Sequence, residues 1–282
     1  MSNTVPMRHR PQPPVPSDRP LIELAEGTLD KTVDASQRVL AAAGNIFQRG
    51  GRLVRTVRTA EPTAARGLRR SAGALVIAPV TPDWLRLELA RHADFTKYDG
   101  RTDSWRPKDC PIEVAAAIIA NSGAWPFPVL AGVVTAPTLR PDGSTVETPG
   151  YDAASGLYLE LDEEFPPVPR RPTREDAQRA LTRLREPFSQ FPFAKPEHES
   201  VALSAMLTAI VRPAMRTAPA HGFSAPTMAS GKSLLGDVAA MAATGRTAAT
   251  MSAAPSGEEE QKRMLALYFA AHRPRLHHEV NQ

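Results

Sequence analysis

The sequence predicts a mixed α+β N-terminal region followed by an α/β domain, and three observations divide it so. From about residue 20 to 165, short apolar runs alternate with turns rich in Gly, Pro and Asp, and helical stripes are brief. Residues 166–172 then hold four prolines in seven positions, the composition of a linker. Beyond them apolar residues recur at helical spacing, and SAPTMASGKSLL at 224–235 sets Gly231-Lys232-Ser233 at the opening of a helix. The expected boundaries are a disordered tail at 1–19, an N-terminal domain at 20–165, a linker at 166–172 and a second domain at 173–282. A chain of 282 residues suits two domains of roughly 100–200 residues each.

Residues 1–19 carry five prolines and no apolar periodicity. Leu21 to Leu24 reads as a short strand, and Leu29, Val33, Val39 and Leu40 as a helix ending at Gly44. Two arms at 45–49 and 52–57, separated by Gly50-Gly51, predict a hairpin, because paired glycines accept the positive φ of a tight primed turn. Residues 61–73 read as a polar, basic loop and 75–80 as a strand. Thr81-Pro82-Asp83 opens a helix whose buried side is expected at Trp84, Leu85, Leu87 and Leu89. A second hairpin follows over 95–105, and a helix from Pro111 carries Val114, Ile118 and Ile119. Strands are expected at 129–135, 145–147 and 157–161, with turns at 141–143 and 154–156.

In the second domain Thr173 and Asp176 form a capping box for a helix with Ala177, Ala180, Leu181 and Leu184. Val201, Leu203, Met206, Leu207 and Ile210 predict a buried helix ending before Pro213. Gly222 to Ala225 reads as a strand leading into the Gly-Lys-Ser turn, after which Leu234, Leu235, Val238 and Met241 continue as a helix to Gly245. Ser256 and Glu259 cap one more helix, carrying Met264, Leu265 and Leu267.

The Gly-Lys-Ser turn is the candidate site. In a P-loop, backbone N–H groups converge on phosphate, the Lys reaches the β and γ oxygens, the Ser hydroxyl holds Mg²⁺, and the following helix offers its positive end. That assigns phosphate binding to Ser230, Gly231, Lys232, Ser233 and Leu234, and Mg²⁺ to Ser233. The pattern departs from Gly-x4-Gly-Lys-Ser at Pro226, which stands at the first glycine position, and at Ala229, where a further glycine often helps the loop turn.

Charge is unevenly placed. Residues 1–70 hold 12 Lys and Arg against 6 Asp and Glu, leaving 22 against 24 elsewhere. This asymmetry suggests a polyanionic partner, although a solvated Arg-rich face explains it as well. Arg49, Arg52 and Arg55 on the first hairpin are the candidate nucleic-acid contacts, with a charged face that discourages edge pairing as the alternative. The mixture of Phe95, Lys97, Tyr98, Arg101, Trp105, Arg106 and Lys108 would also suit unpaired bases, although packing within a hairpin explains it as well. Asp162, Glu163 and Glu164 read as a solvated turn, and the three histidines and Glu279 near residue 282 as a tail without metal-ligand spacing. One cysteine, Cys110, excludes an internal disulfide and fits a reducing compartment. With no apolar run of about 18 residues, no membrane contact is expected and a cytoplasmic location is.

The order of motifs resembles a known family. FQRGGRLVR at 47–55, WPFP at 125–128, APTLRPDG at 136–143, PGYDAASGL at 149–157, FPF at 191–193, APT at 225–227 with SGKSLL at 230–235, and TGR at 244–246 look like the replication ATPases of bacterial phages, plasmids and integrated elements, often called DNA primase or helicase proteins. The resemblance runs from about residue 20 to about 270. It implies the opening half of a three-layer P-loop α/β NTPase domain, with ATP and Mg²⁺ as cofactors, Lys232 as the catalytic phosphate ligand, and single-stranded DNA or a replication fork as partner. A homo-oligomer or a replication partner is a further implication. It accounts for Pro226, since the family starts this loop with Ala-Pro. At the family's Walker B strand this chain instead carries 273–280, where Glu279 alone could stand in for the acidic site, and the later strands, sensor residues and arginine finger do not follow. A C-terminally truncated member with weak binding and little hydrolysis is therefore expected. A non-catalytic remnant that docks single-stranded DNA or a partner is the alternative.

Overall fold

The structure is a computed structural model and describes residues 18–60, 63–65, 68–70, 72–162, 164–169, 171–227, 230–248, 250–251 and 254–269. In chain order the elements are β1 (Leu21–Glu23), α1 (Leu29–Ala43), β2 (Phe47–Arg49), β3 (Arg52–Arg58), β4 (Thr63–Ala65), β5 (Leu68–Arg70), β6 (Leu75–Pro79), α2 (Pro82–His92), β7 (Asp94–Asp99), β8 (Ser104–Lys108), α3 (Ile112–Ala120), β9 (Gly132–Val134), β10 (Thr138–Leu139), β11 (Thr145–Val146), β12 (Gly150–Asp152), β13 (Leu157–Leu159), α4 (Arg174–Arg185), α5 (Pro196–Val211), α6 (Lys232–Thr244), β14 (Thr250–Met251) and α7 (Gly257–Phe269).

These elements form two compact units, residues 1–55 with 79–129 and residues 56–78 with 130–282. The division differs from the boundary expected at 166–172. Long-range bonds that composition does not reveal tie 130–165 to the later helices: Thr135 Oγ1 donates to the carbonyl of Thr244 at 2.8 Å, and Thr138 Oγ1 to that of Ile210 at 3.3 Å. The chain leaves the first unit within β3 and returns within β6, and these two strands stand with β2 in the order β2-β3-β6.

In the first unit Gly50 and Gly51 take φ of 54° and 70°, as the tight turn between β2 and β3 requires, and Arg49 pairs across it with Arg52. Thr81 caps α2 by accepting from the Trp84 amide at 3.3 Å, with Pro82 in the first turn. Leu85 and Leu89 are buried as expected, but Leu87 points outward and Glu88 takes its place inside. Parallel β1-β7 and antiparallel β7-β8 form a three-stranded sheet. Leu40, Ile46, Leu53, Leu85, Leu89, Phe95, Val114 and Ile118 make the core, closed by Trp125, whose indole N–H donates to the carbonyl of Ile118 at 2.6 Å. Cys110 lies in this core, and burial pushes its thiol pKa up to about 11, with the nearby Arg86 acting the other way.

The second unit carries three small sheets. Residues 63–70, expected to be loop, form the hairpin β4-β5, and β14 adds to it antiparallel. β12 and β13 pair antiparallel and β13 pairs parallel with β9, while β10 and β11 form a two-stranded ribbon. The α4 capping box is present: the Thr173 hydroxyl accepts from the Asp176 amide at 3.2 Å, and the Asp176 carboxylate accepts from the Thr173 amide at 2.9 Å. α5 and α6 pack against each other through part of the set the periodicity singles out, Met206 and Leu235 with Leu203, Ile210 and Val238 at the edge, together with alanines it does not. Ala202, Ala205, Met206 and Ala209 are buried on α5, and Leu235, Gly236, Ala239 and Ala240 on α6. Val201, Leu207, Leu234 and Met241 are exposed. Phe188, beneath the loop before α5, completes that core. Residues 222–225, expected to be a strand, are irregular.

Candidate functional site

The site is built on the first turn of α6. Gly231 takes φ 83° and ψ 8°, a left-handed conformation that costs an L side chain roughly 1–2 kcal/mol. Lys232 and Ser233 are the first two helical residues. The first bond within the helix runs from the Leu235 amide to the Gly231 carbonyl at 3.3 Å, so the amides of Lys232, Ser233 and Leu234 precede any intrahelical acceptor. No side chain among the described residues caps this end. The hydroxyl of Ser230 is buried without a hydrogen-bond partner among them. Uncapped amides, a buried orphan hydroxyl and the positive end of a helix 13 residues long together make an environment for an anion. Four of the five predicted phosphate ligands are thus contiguous with the fifth, Ser230, in one turn. Ala229, one of the two departures in the loop, lies outside the described residues.

The other end of α6 is held firmly. Gly245 ends the helix in the left-handed conformation and donates to the carbonyl of Met241 at 2.8 Å. The Thr135 hydroxyl bonds the Thr244 carbonyl. Arg246, next along, donates to the Ala72 carbonyl at 2.8 Å and to Asp162 Oδ2 at 2.9 Å. Asp162 also pairs with Arg58 at 2.5 Å, and Arg58 with Glu160 at 2.5 Å. Partial burial raises the Asp162 pKa, but Arg246 and Arg58 outweigh it and hold the carboxyl below its ordinary range. Asp162 is therefore no solvated turn residue, as its sequence neighbourhood suggests, but the centre of an ion network. Sequence reasoning lacked a signal for this, since its members lie in four separate stretches.

The three hairpin arginines are not brought together. Side chains alternate along a strand, so the cross-strand pair Arg49 and Arg52 lies on one face of the hairpin and Arg55 on the other. Arg55 stacks its guanidinium 4.6 Å from the centre of the Trp84 ring and is half-buried there. That removes it from a shared phosphate-binding face. The aromatic and basic set on β7 and β8 is likewise used internally: Tyr98 and Trp105 meet edge to face at 5.3 Å, Phe95 is core, Arg106 pairs with Asp99 at 3.1 Å and Lys97 with Glu26 at 3.3 Å.

Glu279 and the terminal histidines lie outside the described residues, as do residues 1–17 of the expected tail. Among the described residues no group of three or more His, Cys, Asp or Glu could hold a metal, and no helix is long and apolar enough to cross a membrane.

Comparison with protein-family models, with curated proteins and with solved structures gives no match.

Proposed function

We propose that this chain binds a nucleoside triphosphate, ATP in the first instance, through the turn at Ser230–Leu234, as a replication protein of the mobile-element primase-helicase kind that its motif order resembles. The observation that carries the reading is the uncapped start of α6, where Gly231 is left-handed and Lys232 and Ser233 follow at once. The residues suit the ligand. The amides of Lys232, Ser233 and Leu234 would receive phosphate oxygens, the Lys232 ammonium would neutralise the β and γ charge, and the Ser233 hydroxyl would hold Mg²⁺. Magnesium held by the Ser233 hydroxyl would supply positive charge against the phosphates. The anchored C-terminal end of α6 fixes the direction in which its amides point, so the phosphate site needs little ordering on binding.

Hydrolysis is a separate matter, because it needs a carboxylate to orient the metal and the attacking water. The resemblance assigns that role to Glu279. Binding with little turnover is the reading we adopt, with DNA as the polyanion on which such a protein would act, in a reducing, cytoplasmic setting that suits its single cysteine.

The test is nucleotide binding by the purified chain with Mg²⁺, compared with Lys232→Ala. Loss of a charge-assisted contact costs about 1.5–3 kcal/mol, so affinity is expected to fall by about ten- to a hundredfold. Equal binding by both proteins, or by neither, would reject the phosphate site. ATP turnover above background that disappears in Lys232→Ala would reject the poor hydrolysis.

A further inference from the structure

We infer that the cleft between Arg185 and Glu199 is the base subsite of the same ligand, with Phe191 as the ring on which the nucleobase stacks; the inference rests on the phosphate reading of the α6 turn. An open cleft of about 710 Å³ is bounded by the end of α4, the 3₁₀ turn at Glu186–Phe188, the Phe191-Pro192-Phe193 loop and the start of α5. This volume falls within the range of small-molecule sites, roughly 300–1,000 Å³.

One residue joins the cleft to the phosphate turn. Phe191 lines the cleft, and its ring edge lies so close to Gly231 that a Cβ built there would stand 2.9 Å from Phe191 Cε2. Gly231 is thus required twice, once by its positive φ and once by the ring resting on it. A ligand whose phosphates occupy the amides of α6 would have its other end beside this ring.

The rings are held in place before any ligand arrives. The Phe191 amide donates to the Phe188 carbonyl at 3.0 Å and the Phe193 amide to the Phe191 carbonyl at 2.9 Å, closing two tight turns around Pro192. Phe193 packs edge to face on the buried Phe188 at 6.2 Å. Phe191 and Phe193 sit 4.7 Å apart at 46°, so they do not cover each other face to face, and both stay half-exposed. Across the cleft Arg185 Nε and Glu199 Oε1 pair at 2.8 Å, and Lys195 stands at its rim. Fixed aromatic faces beside a charged, hydrogen-bonding wall, where Arg185 and Lys195 stand with Glu186 and Glu199, are what a flat heteroaromatic ring with polar edges would meet favourably. A purely apolar ligand would leave the wall's charges unused.

The experiment uses the full chain with Mg²⁺ and two probes, ATP and inorganic tripolyphosphate, which shares the phosphates but has no base. Titration calorimetry compares wild type, Phe191→Ala and Phe191→Leu. Stacking of a base on an aromatic side chain contributes enough for about tenfold in affinity. Wild type is therefore expected to bind ATP about tenfold more tightly than tripolyphosphate. In Phe191→Ala the ATP affinity is expected to fall to the tripolyphosphate level while tripolyphosphate binding is unchanged. Phe191→Leu, which keeps an apolar side chain against Gly231 but offers no ring, is expected to behave the same way. Equal affinity of wild type for the two probes would overturn the base subsite and leave the phosphate site standing. An equal loss for both probes in the Leu variant would do the same, showing that the ring only supports the turn. If wild type binds neither probe, the phosphate reading fails and this inference falls with it.

Discussion

Glu88 shows how one side chain can be set against its surroundings. It is buried, at 4% exposure, on a helix whose neighbours at that depth are leucines. Burial by itself raises its pKa, yet Asn45 donates to Oε1 at 2.5 Å, Arg91 donates to Oε2 at 3.0 Å and His92 Nε2 lies 3.2 Å from Oε1. Together these partners overcome desolvation and hold the carboxyl below its ordinary 4.5. A carboxyl depressed in the folded state stabilises it above the unfolded pKa, and that contribution is lost as pH falls through the folded value. Wild type is thus expected to lose stability below about pH 4.5, and Glu88→Gln to show a shallower acid slope in urea midpoints measured from pH 6 to 3. Identical slopes would show that the network does not couple to folding. The local chemistry of single residues was largely legible: Thr81 and Thr173 as caps, Gly44 and Gly245 as helix ends and the glycine pair at 50–51 all stand where their conformational preferences put them. Glu88 was not, because its partner Asn45 is 43 residues away and no local pattern marks the pair.

At the scale of elements, helix positions could be read and helix faces only in part. Periodicity finds α5 and α6 correctly, since both stretches are rich in apolar residues. It places Met206 and Leu235 in the interface correctly, but it also includes Val201, Leu207, Leu234 and Met241, which are exposed, and it passes over the alanines that make up most of the packed faces. Small side chains let two helix backbones approach closely, and the dispersion gained across that contact favours the alanine faces over bulkier ones. The consequence is an inverted mutational pattern. Ala239→Leu inserts three carbons into a filled interface and is expected to destabilise the fold by about 1–3 kcal/mol. Met241→Gln, at a side chain 52% exposed, should stay within about 0.5 kcal/mol. Urea denaturation midpoints decide between these faces, and a larger effect at 241 than at 239 would reverse the assignment. The β4-β5 hairpin was missed for a related reason: its sequence is basic and alanine-rich, and its third strand β14 comes about 180 residues later.

On the scale of the whole molecule, the two units predict where a nucleotide is felt. The uncapped turn, the Phe191 loop and the ion network at Asp162 all belong to the second unit, while α2, α3 and the β2-β3 turn belong to the first. ATP with Mg²⁺ is expected to slow amide hydrogen exchange across 186–245 and to leave 82–120 unchanged, since a ligand stabilises the cooperative element that holds it. Equal protection in both stretches would mean that the units open together. The division itself was hidden from sequence because proline-rich composition marks 166–172 as a boundary, whereas hydrogen bonds from 135 and 138 bind the strands before it to α5 and α6 after it.

The excursion of residues 56–78 out of the first unit has a consequence for a chain made from one end to the other. Once residue 129 has emerged from the ribosome, every residue of the first unit is present, and it can close around the excursion's two ends. The β5 strand inside that excursion must still wait for β14, at residues 250–251, before its edge is covered. During that interval an exposed strand edge is carried on a unit that has already folded, a state in which strands pair with the wrong neighbour. That strand, Leu68–Arg70, has β4 on one side and β14 on the other, so β4 covers one of its edges and only the edge toward β14 waits.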